Sequence, residues 1–389
     1  MKRTILSIIV SGLFISSSFS QIQEITKAIE TYYINQEVGS KLIKHLTTNE
    51  ASYQNLSEEA FVIQVNKDLH AIHNDRHIQL ISKKQSSSLP WSQQFIRTVK
   101  VLEGNIGYLE ISHFPNPNDE VYGELASAFS LIEKTDGIII DIRNNRGGHP
   151  ETVSELLGYF TDGEVLYDRF YIPSESKAYD YETHKKVAGN KLIGKPLAIL
   201  INEKTASVSE LFALAVKNLK IGKVYGSNSM GLVNLAGYYP IGDSYYLLLS
   251  KGYQQNPFSE HGIENVGVKP DVESSSGLTN AHLDLVASVH GNELKDWIAE
   301  GLREKPLSSL DIQAFVGNYG SITIIESDGM LYYQDHTGFD YKMIPVSENT
   351  FQLESSMEVR FRIDFISDPN WMILSKRYFD GDMKVYQKN

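Results

Sequence analysis

Leu197-Ala198-Ile199-Leu200-Ile201-Asn202-Glu203-Lys204-Thr205-Ala206-Ser207-Val208-Ser209-Glu210 is the stretch whose reading decides the fold. Five consecutive apolar residues make a strand that is apolar on both faces, as a strand covered by helices on both sides requires. A polar turn follows, and Leu211, Phe212, Leu214 and Ala215 then recur at helical spacing. Ser207 falls where the helix begins. There its own N–H and that of Val208 have no partner within the helix, and the helix dipole favours developing negative charge, both useful to a nucleophile. The same position suits a plain N-cap at Ser207 or Thr205, with Glu210 completing a capping box from Ser207. Taken alone, the local pattern favours the cap.

Outward from this stretch, Ile138-Ile139-Ile140 is a second doubly apolar run, and from Phe95 to Val286 short apolar runs alternate with helical patterns. This predicts an α/β architecture with active residues on loops at strand ends. Before it, Ile25, Ile29, Tyr32 and Tyr33, then Phe61, Val62, Val65, Leu69 and Ile72, follow helical spacing, with Ser57-Glu58-Glu59 as a helix start. The polar stretch Lys83 to Ser88 and Pro90 break that pattern. After a helical piece around Asn280 to Arg303, short runs such as Ile322 to Ile325, Met330 to Tyr333 and Phe351 to Leu353 are parted by Gly, Asp, Asn and Ser. They predict an antiparallel β domain whose aromatics, Tyr319, Tyr332, Tyr333, Phe339 and Trp371, form its own small core or barrel lining. The expected division is a helical domain over 21–94, an α/β core over 95–303 and a small β domain over 304–389, with no internal repeat.

The chain of 389 residues opens with Met1-Lys2-Arg3, an apolar run from Thr4 to Ile15 and a small-residue end at Ser16 to Ser20. That is the pattern of a secretory signal peptide over 1–20, and it predicts an exported protein, periplasmic or extracellular. No later run is long enough to span a bilayer, so no membrane anchor is expected. With no cysteine in the chain, disulfides, thiol nucleophiles and thiolate metal sites are excluded. A formal charge of −12 argues against nucleic acid as a partner. The sequence gives no oligomeric state.

Thr205-Ala206-Ser207-Val208-Ser209-Glu210 resembles the T-A-S-x-S-E nucleophile segment of the tail-specific (C-terminal processing) peptidases. Three further segments match in order. Asp136-Gly137-Ile138-Ile139-Ile140-Asp141-Ile142-Arg143-Asn144-Asn145-Arg146-Gly147-Gly148 resembles the D-x-R-x-N-x-G-G strand and loop, and Glu264-Asn265-Val266-Gly267-Val268-Lys269-Pro270-Asp271 the E-x-x-G-V-x-P-D element. Asn74-Asp75-Arg76-His77-Ile78-Gln79-Leu80 resembles the D-x-H element that closes the N-terminal helical domain. The resemblance implies a crotonase/ClpP-like core, a serine-type peptidase activity on peptide or protein substrates, and no cofactor.

It also implies the roles of the site residues. Ser207 becomes the nucleophile, and Gly147, Gly148 and Val208 the oxyanion donors; two glycines after a buried strand also suit a simple turn. The bacterial enzymes use a lysine base, but that position here is Leu232, which cannot take a proton. The resemblance therefore shifts to tricorn-type proteases, and His77 becomes the base. Glu264 orients the charged imidazole or holds the surrounding polar network; both roles stay open. Asp75 caps or orients the His77 loop, and Arg143 and Asn145 brace theirs. His70, His73 and His77 lie at metal-ligand spacing, but no acidic ligand is fixed and H-E-x-x-H is absent, so no metal is expected. About fifteen residues between Leu80 and the core leave no room for a PDZ domain. That places the chain nearer the branch shared with interphotoreceptor retinoid-binding protein and raises the alternative of an inactive relative that binds a lipophilic ligand or a polypeptide.

Overall fold

The computed structural model describes residues 19–73, 75–84, 94–303, 311–354, 361–368, 371–379 and 382–388. The leader expected over 1–20 lies outside the described residues except for its last two, as do Asn74 and most of the polar linker that begins at Lys83. Two compact units divide the chain at Ala281/His282.

The first unit opens with three helices, α1 (19–32), α2 (Gln36–Thr48) and α3 (Glu58–Ile72). The predicted start of α3 is present: Ser57 is its N-cap and accepts from the Ala60 N–H, with Glu58 and Glu59 in the first turn. The chain continues through β1 (Gln79–Ser82), β2 (Ile96–Leu102), β3 (Ile106–Ile111), α4 (Asp119–Ile132), β4 (Gly137–Asp141) and α5 (Pro150–Gly158). It then runs through β5 (Leu166–Ile172), β6 (Lys177–Glu182), β7 (Leu197–Ile201), α6 (Val208–Asn218), β8 (Lys223–Gly226), β9 (Leu235–Ile241), β10 (Tyr245–Gln254) and β11 (Val272–Glu273).

Its central sheet has the order β11-β8-β7-β4-β3-β2. All neighbours are parallel except the β2–β3 hairpin. β4 and β7 are buried at every position, which answers to their doubly apolar sequences. Because they pair in parallel, with Asp141 opposite Leu200, the loops that follow them leave the same edge side by side. That edge carries Gly147-Gly148 and Ser207. A second sheet runs β1-β10-β5-β6, with β9 also paired to β10.

The N-terminal helices do not make a core of their own. Leu42, Leu46, Phe61, Val65 and Leu69 are buried together with Ile241, Tyr245, Leu247 and Leu249 from β9 and β10. Each such side chain contributes about 1.5–3 kcal/mol on burial. Helical periodicity marks the apolar face of each helix and is silent about what covers it, so the expected line at 94/95 does not separate two cores.

The division at 281/282 falls within α7 (Gly277–His290), earlier than the 303/304 line drawn from the sequence. The reason lies in α8 (Asn292–Gly301). A Cβ on Gly301 would stand 2.7 Å from Arg362 Nη2 and 2.8 Å from Gln352 Oε1, and the Arg362 guanidinium lies 4.0 Å from the Trp297 ring centroid. This helix packs on the β domain, where β12 (Gly317–Tyr319) to β19 (Met383–Gln387) form an eight-stranded antiparallel meander. A bridge between Tyr319 and Lys388 joins its first and last strands. Tyr319 and Tyr333 are buried in its core, Tyr332 is half-buried and Phe339 is exposed. The side chain of Trp371 lies outside the described residues.

Candidate active site

Three loops meet at the C-terminal edge of the central sheet. The loop after β4 and the loop after β7 are tied by Asn202, which accepts from the Asn144 N–H at 3.0 Å and donates to Asn144 Oδ1 at 3.1 Å. Ala206 N–H donates to the Asn145 carbonyl at 3.0 Å. The turn after β8 joins them, with Met230 N–H on the Thr205 carbonyl and Ser207 N–H on the Leu232 carbonyl, both at 2.9 Å.

Ser207 is the N-cap residue of α6, with φ 58° and ψ −131°. A non-glycine residue there carries strain of about 1–3 kcal/mol, which the surroundings must over-determine. They do so through the other members of its segment. Thr205 Oγ1 donates to the Ile142 carbonyl at 3.0 Å and accepts from Asn202 N–H at 3.0 Å. Ser209 Oγ donates to Asn145 Oδ1 at 2.6 Å. Glu210, fully buried, accepts from Ser207 N–H (2.9 Å), Ser229 Oγ (2.6 Å), Gly231 N–H (2.6 Å) and Leu232 N–H (2.9 Å). Burial pushes its carboxyl upward, against the pull of these four donors. The carboxylate half of the capping box is thus present, and it also fixes the turn that runs past the serine.

Gly147, at φ 99°, lies so near that a Cβ on it would stand 2.7 Å from Ser207 Cβ and 3.0 Å from Val208 N. A Cβ on Gly148, at φ 144°, would stand 1.8 Å from the Phe114 carbonyl oxygen. Neither position admits a side chain, so more than a turn preference is at work. The Gly147 N–H is taken by Asn145 Oδ1 at 2.9 Å. Asn145 braces its loop as expected, since its Nδ2 also donates to the Ile111 carbonyl at 3.1 Å. Arg143 instead turns onto Asp141, which Tyr108 also contacts at 2.8 Å.

His77 sits on the loop between α3 and β1 and is buried. Asp75 Oδ1 accepts its backbone N–H at 2.8 Å, while the imidazole Nδ1 is 3.9 Å from that oxygen and has no hydrogen-bond partner among the described residues. Tyr33 Oη donates to Asp75 Oδ2 at 3.1 Å, and Arg76 Nη2 donates to the Met230 carbonyl at 2.9 Å. Arg76 therefore docks the histidine loop on the turn that also holds Ser207. Burial lowers the His77 pKa below the usual imidazole value, opposed by the Asp75 and Glu264 carboxylates and reinforced by Arg76. Glu264 Oε2 accepts from Val233 N–H at 2.7 Å and Asn234 N–H at 2.9 Å, one step along from Leu232. Ser207 and Glu264 are thus gathered around residues 229–234, with His77 brought to the same segment by Arg76. Among the described residues no hydrogen bond joins Ser207 to His77. His70 is engaged with the Ile78 carbonyl at 2.8 Å, and His73 is the C-cap of α3.

The sequence reading gave Glu210 only a capping role and passed over Tyr33 and Arg76. Glu210 had a legible signal in its motif; the other two are linked to the site only through long-range contacts.

A serine held at positive φ on a turn from strand to helix, with a glycine pair from the neighbouring strand pressed against it, is a setting in which a hydroxyl can be presented as a nucleophile. Residues 105–274 match the model of peptidase family S41. The chain is 25% identical over 211 residues to the carboxy-terminal-processing protease of Bartonella bacilliformis, covering 52% of this chain and 46% of that one. It is 28% identical over 202 residues to the carboxy-terminal processing protease CtpB of Bacillus subtilis, covering 50% and 39%. The chain thus spans less than half the length of these curated relatives. A lipoprotein from Streptococcus agalactiae has the same fold at TM-score 0.57 and 18% identity, over 70% of this chain and 97% of that one. The photosystem II D1 C-terminal processing protease does so at TM-score 0.51 and 16% identity, over 71% and 97%.

Proposed function

We propose that the chain is an exported serine peptidase, periplasmic or extracellular, that hydrolyses peptide bonds of proteins or peptides at a Ser207–His77–Glu264 site. Ser207 Oγ attacks the scissile carbonyl while His77 takes its proton, and the carbonyl becomes a tetrahedral oxyanion. Val208 N–H and Gly148 N–H hold that oxyanion, because Gly147 N–H is already given to Asn145. Gly147 provides the room. Collapse expels the amine, which leaves with the proton from His77, and water then hydrolyses the acyl-enzyme by the same exchange in reverse. Glu264 serves the network around the turn and favours the charged imidazole. Export rests on the leader-like pattern of residues 1–20.

The observation that carries this reading is Ser207 held at φ 58° against Gly147, a strained arrangement that a simple helix cap does not need. That no hydrogen bond joins Ser207 to His77 among the described residues favours a second reading, an inactive relative that binds a lipophilic ligand or a polypeptide. Catalytic hydrogen bonds commonly close only with substrate, which keeps the first in front. Labelling with a fluorophosphonate and cleavage of a mixed peptide library, both lost in Ser207→Ala, are the expected outcome. Wild type that stays unlabelled from about pH 5 to 9, across the histidine range, overturns the enzyme reading.

A further inference from the structure

We infer that Gln254 is a positioning residue for Glu264, its side-chain amide held in one orientation by the buried carboxylate of Asp168. The inference rests on the role proposed above for Glu264. Gln254 ends β10, and its Nε2 donates to Asp168 Oδ2 of β5 at 2.7 Å. Its Oε1 accepts from the Ile263 N–H at 3.1 Å. The loop lies flat on this amide, for a Cβ on Gly262 would stand 3.2 Å from Oε1. Ile263 precedes Glu264, whose carboxylate holds Val233 and Asn234 N–H, next to the Leu232 carbonyl that holds Ser207 N–H. One continuous path therefore runs from Asp168 to the serine.

The amide has two ends of opposite character, and only one orientation satisfies this path. An ionised Asp168 accepts and cannot donate, so it demands the NH₂ end and leaves the carbonyl for Ile263. Its other oxygen is taken by Arg169 N–H at 2.8 Å. Once protonated, Asp168 can donate to the amide oxygen, and the flipped amide would set NH₂ against the Ile263 N–H. The loop then loses its acceptor.

The surroundings bring this change into an accessible range. Asp168 is 1% exposed, and burial pushes its carboxyl up to about 7 against the Gln254 and Arg169 hydrogen bonds. Tyr167 beside it and Tyr181 opposite it on β6 are raised by burial and stay neutral. The Arg169 guanidinium is turned onto Asp180 of β6. On α6, which also packs on β5, Glu210 is held by the 229–232 turn and Lys217 pairs with Asp271. β10 brings the amide itself.

The test is amide hydrogen exchange of the Ile263 segment in the full chain, corrected for the intrinsic pH dependence of exchange, at pH 8 and 5.5. Wild type is expected to lose about tenfold protection at the lower pH, while Asp168→Asn and Gln254→Met are equally unprotected at both. Protection that ignores pH and both substitutions overturns the inference, and this arm reads out even if the chain has no peptidase activity. In an active protein, Gln254→Met lowers kcat on the order of tenfold to a hundredfold with KM little changed. Asp168→Asn removes a limb near pH 7 from the wild-type rate profile, leaving the lower limb of His77. Unchanged kcat in Gln254→Met, or a limb that persists in Asp168→Asn, counts equally against it.

Discussion

Glu210 Oε2 accepts the Ser207 backbone N–H at 2.9 Å, and the same carboxylate holds the Ser229 hydroxyl and the N–H groups of Gly231 and Leu232. One buried anion thus fixes the strained serine and the turn that covers it. Glu210→Ala would leave the Ser229 hydroxyl and the Gly231 and Leu232 N–H groups without this acceptor, while Ser207 N–H keeps the Leu232 carbonyl, at about 1–3 kcal/mol for each donor that water cannot reach. Glu210→Gln keeps one acceptor oxygen and sets an NH₂ against the remaining donors. Both variants are expected to melt several degrees lower and to lose fluorophosphonate labelling. A Glu210→Gln protein that melts and labels as wild type would remove the carboxylate from this role.

The glycine pair makes two separable predictions. In Gly148→Ala the new Cβ collides with the Phe114 backbone at 1.8 Å, which no rotamer relieves, so loss of stability of about 2 kcal/mol or more is expected in denaturant unfolding. In Gly147→Ala the collision is with Ser207 Cβ at 2.7 Å. Here labelling should fall further than stability, because the strain is passed to Ser207, the proposed nucleophile. Equal and mild effects on both measures would contradict that distinction.

How much of this was legible beforehand follows the range of the interactions. The strands β4 and β7 were readable because burial on both faces leaves continuous apolar runs, and Ser207 because a turn chemistry and a helix start are local. The site order from His77 to Glu264 came from motif resemblance. Tyr33 on Asp75, Arg76 on Met230 and Gln254 on Asp168 join residues far apart in sequence, and nothing in local spacing marks such pairs. The same limit applies to α8: a helical piece around Asn280 to Arg303 is readable, but its partner, the Arg362 layer of the β domain, is not.

In that layer Glu300 pairs with Arg362 and Arg377, and Arg377 also pairs with Asp364. Burial alone would raise the Glu300 carboxyl, but Arg377 and Arg362 bring it below its usual value. A lowered folded-state pKa means stability that is present above the unfolded value and is lost as pH falls through the folded one. Glu300→Gln should therefore destabilise the β domain at pH 7, where Arg362 and Arg377 lose the Glu300 charge. Thermal melts of wild type and variant should converge as pH falls below the ordinary glutamate range, once Glu300 is protonated in the folded state. A gap that stays constant with pH would mean that packing rather than charge is lost.

His77 gives the same sign from a different cause. Its imidazole is buried, and burial holds its pKa below the ordinary 6.5 despite the carboxylates of Asp75 and Glu264. The neutral form, which can accept a proton, therefore prevails at neutral pH. Between the folded and unfolded values the native state binds fewer protons than the unfolded one, so its stability falls as pH drops below 6.5. An NMR titration of the His77 ring should give a midpoint under 6.5, and fluorophosphonate labelling should fall along the same curve. His77→Asn should abolish labelling while leaving the melt at pH 8 within about 1 kcal/mol of wild type, since among the described residues the native ring has no partner at Nδ1 to lose. Persistent labelling in His77→Asn, or a ring that titrates above 6.5, would assign the base to another group.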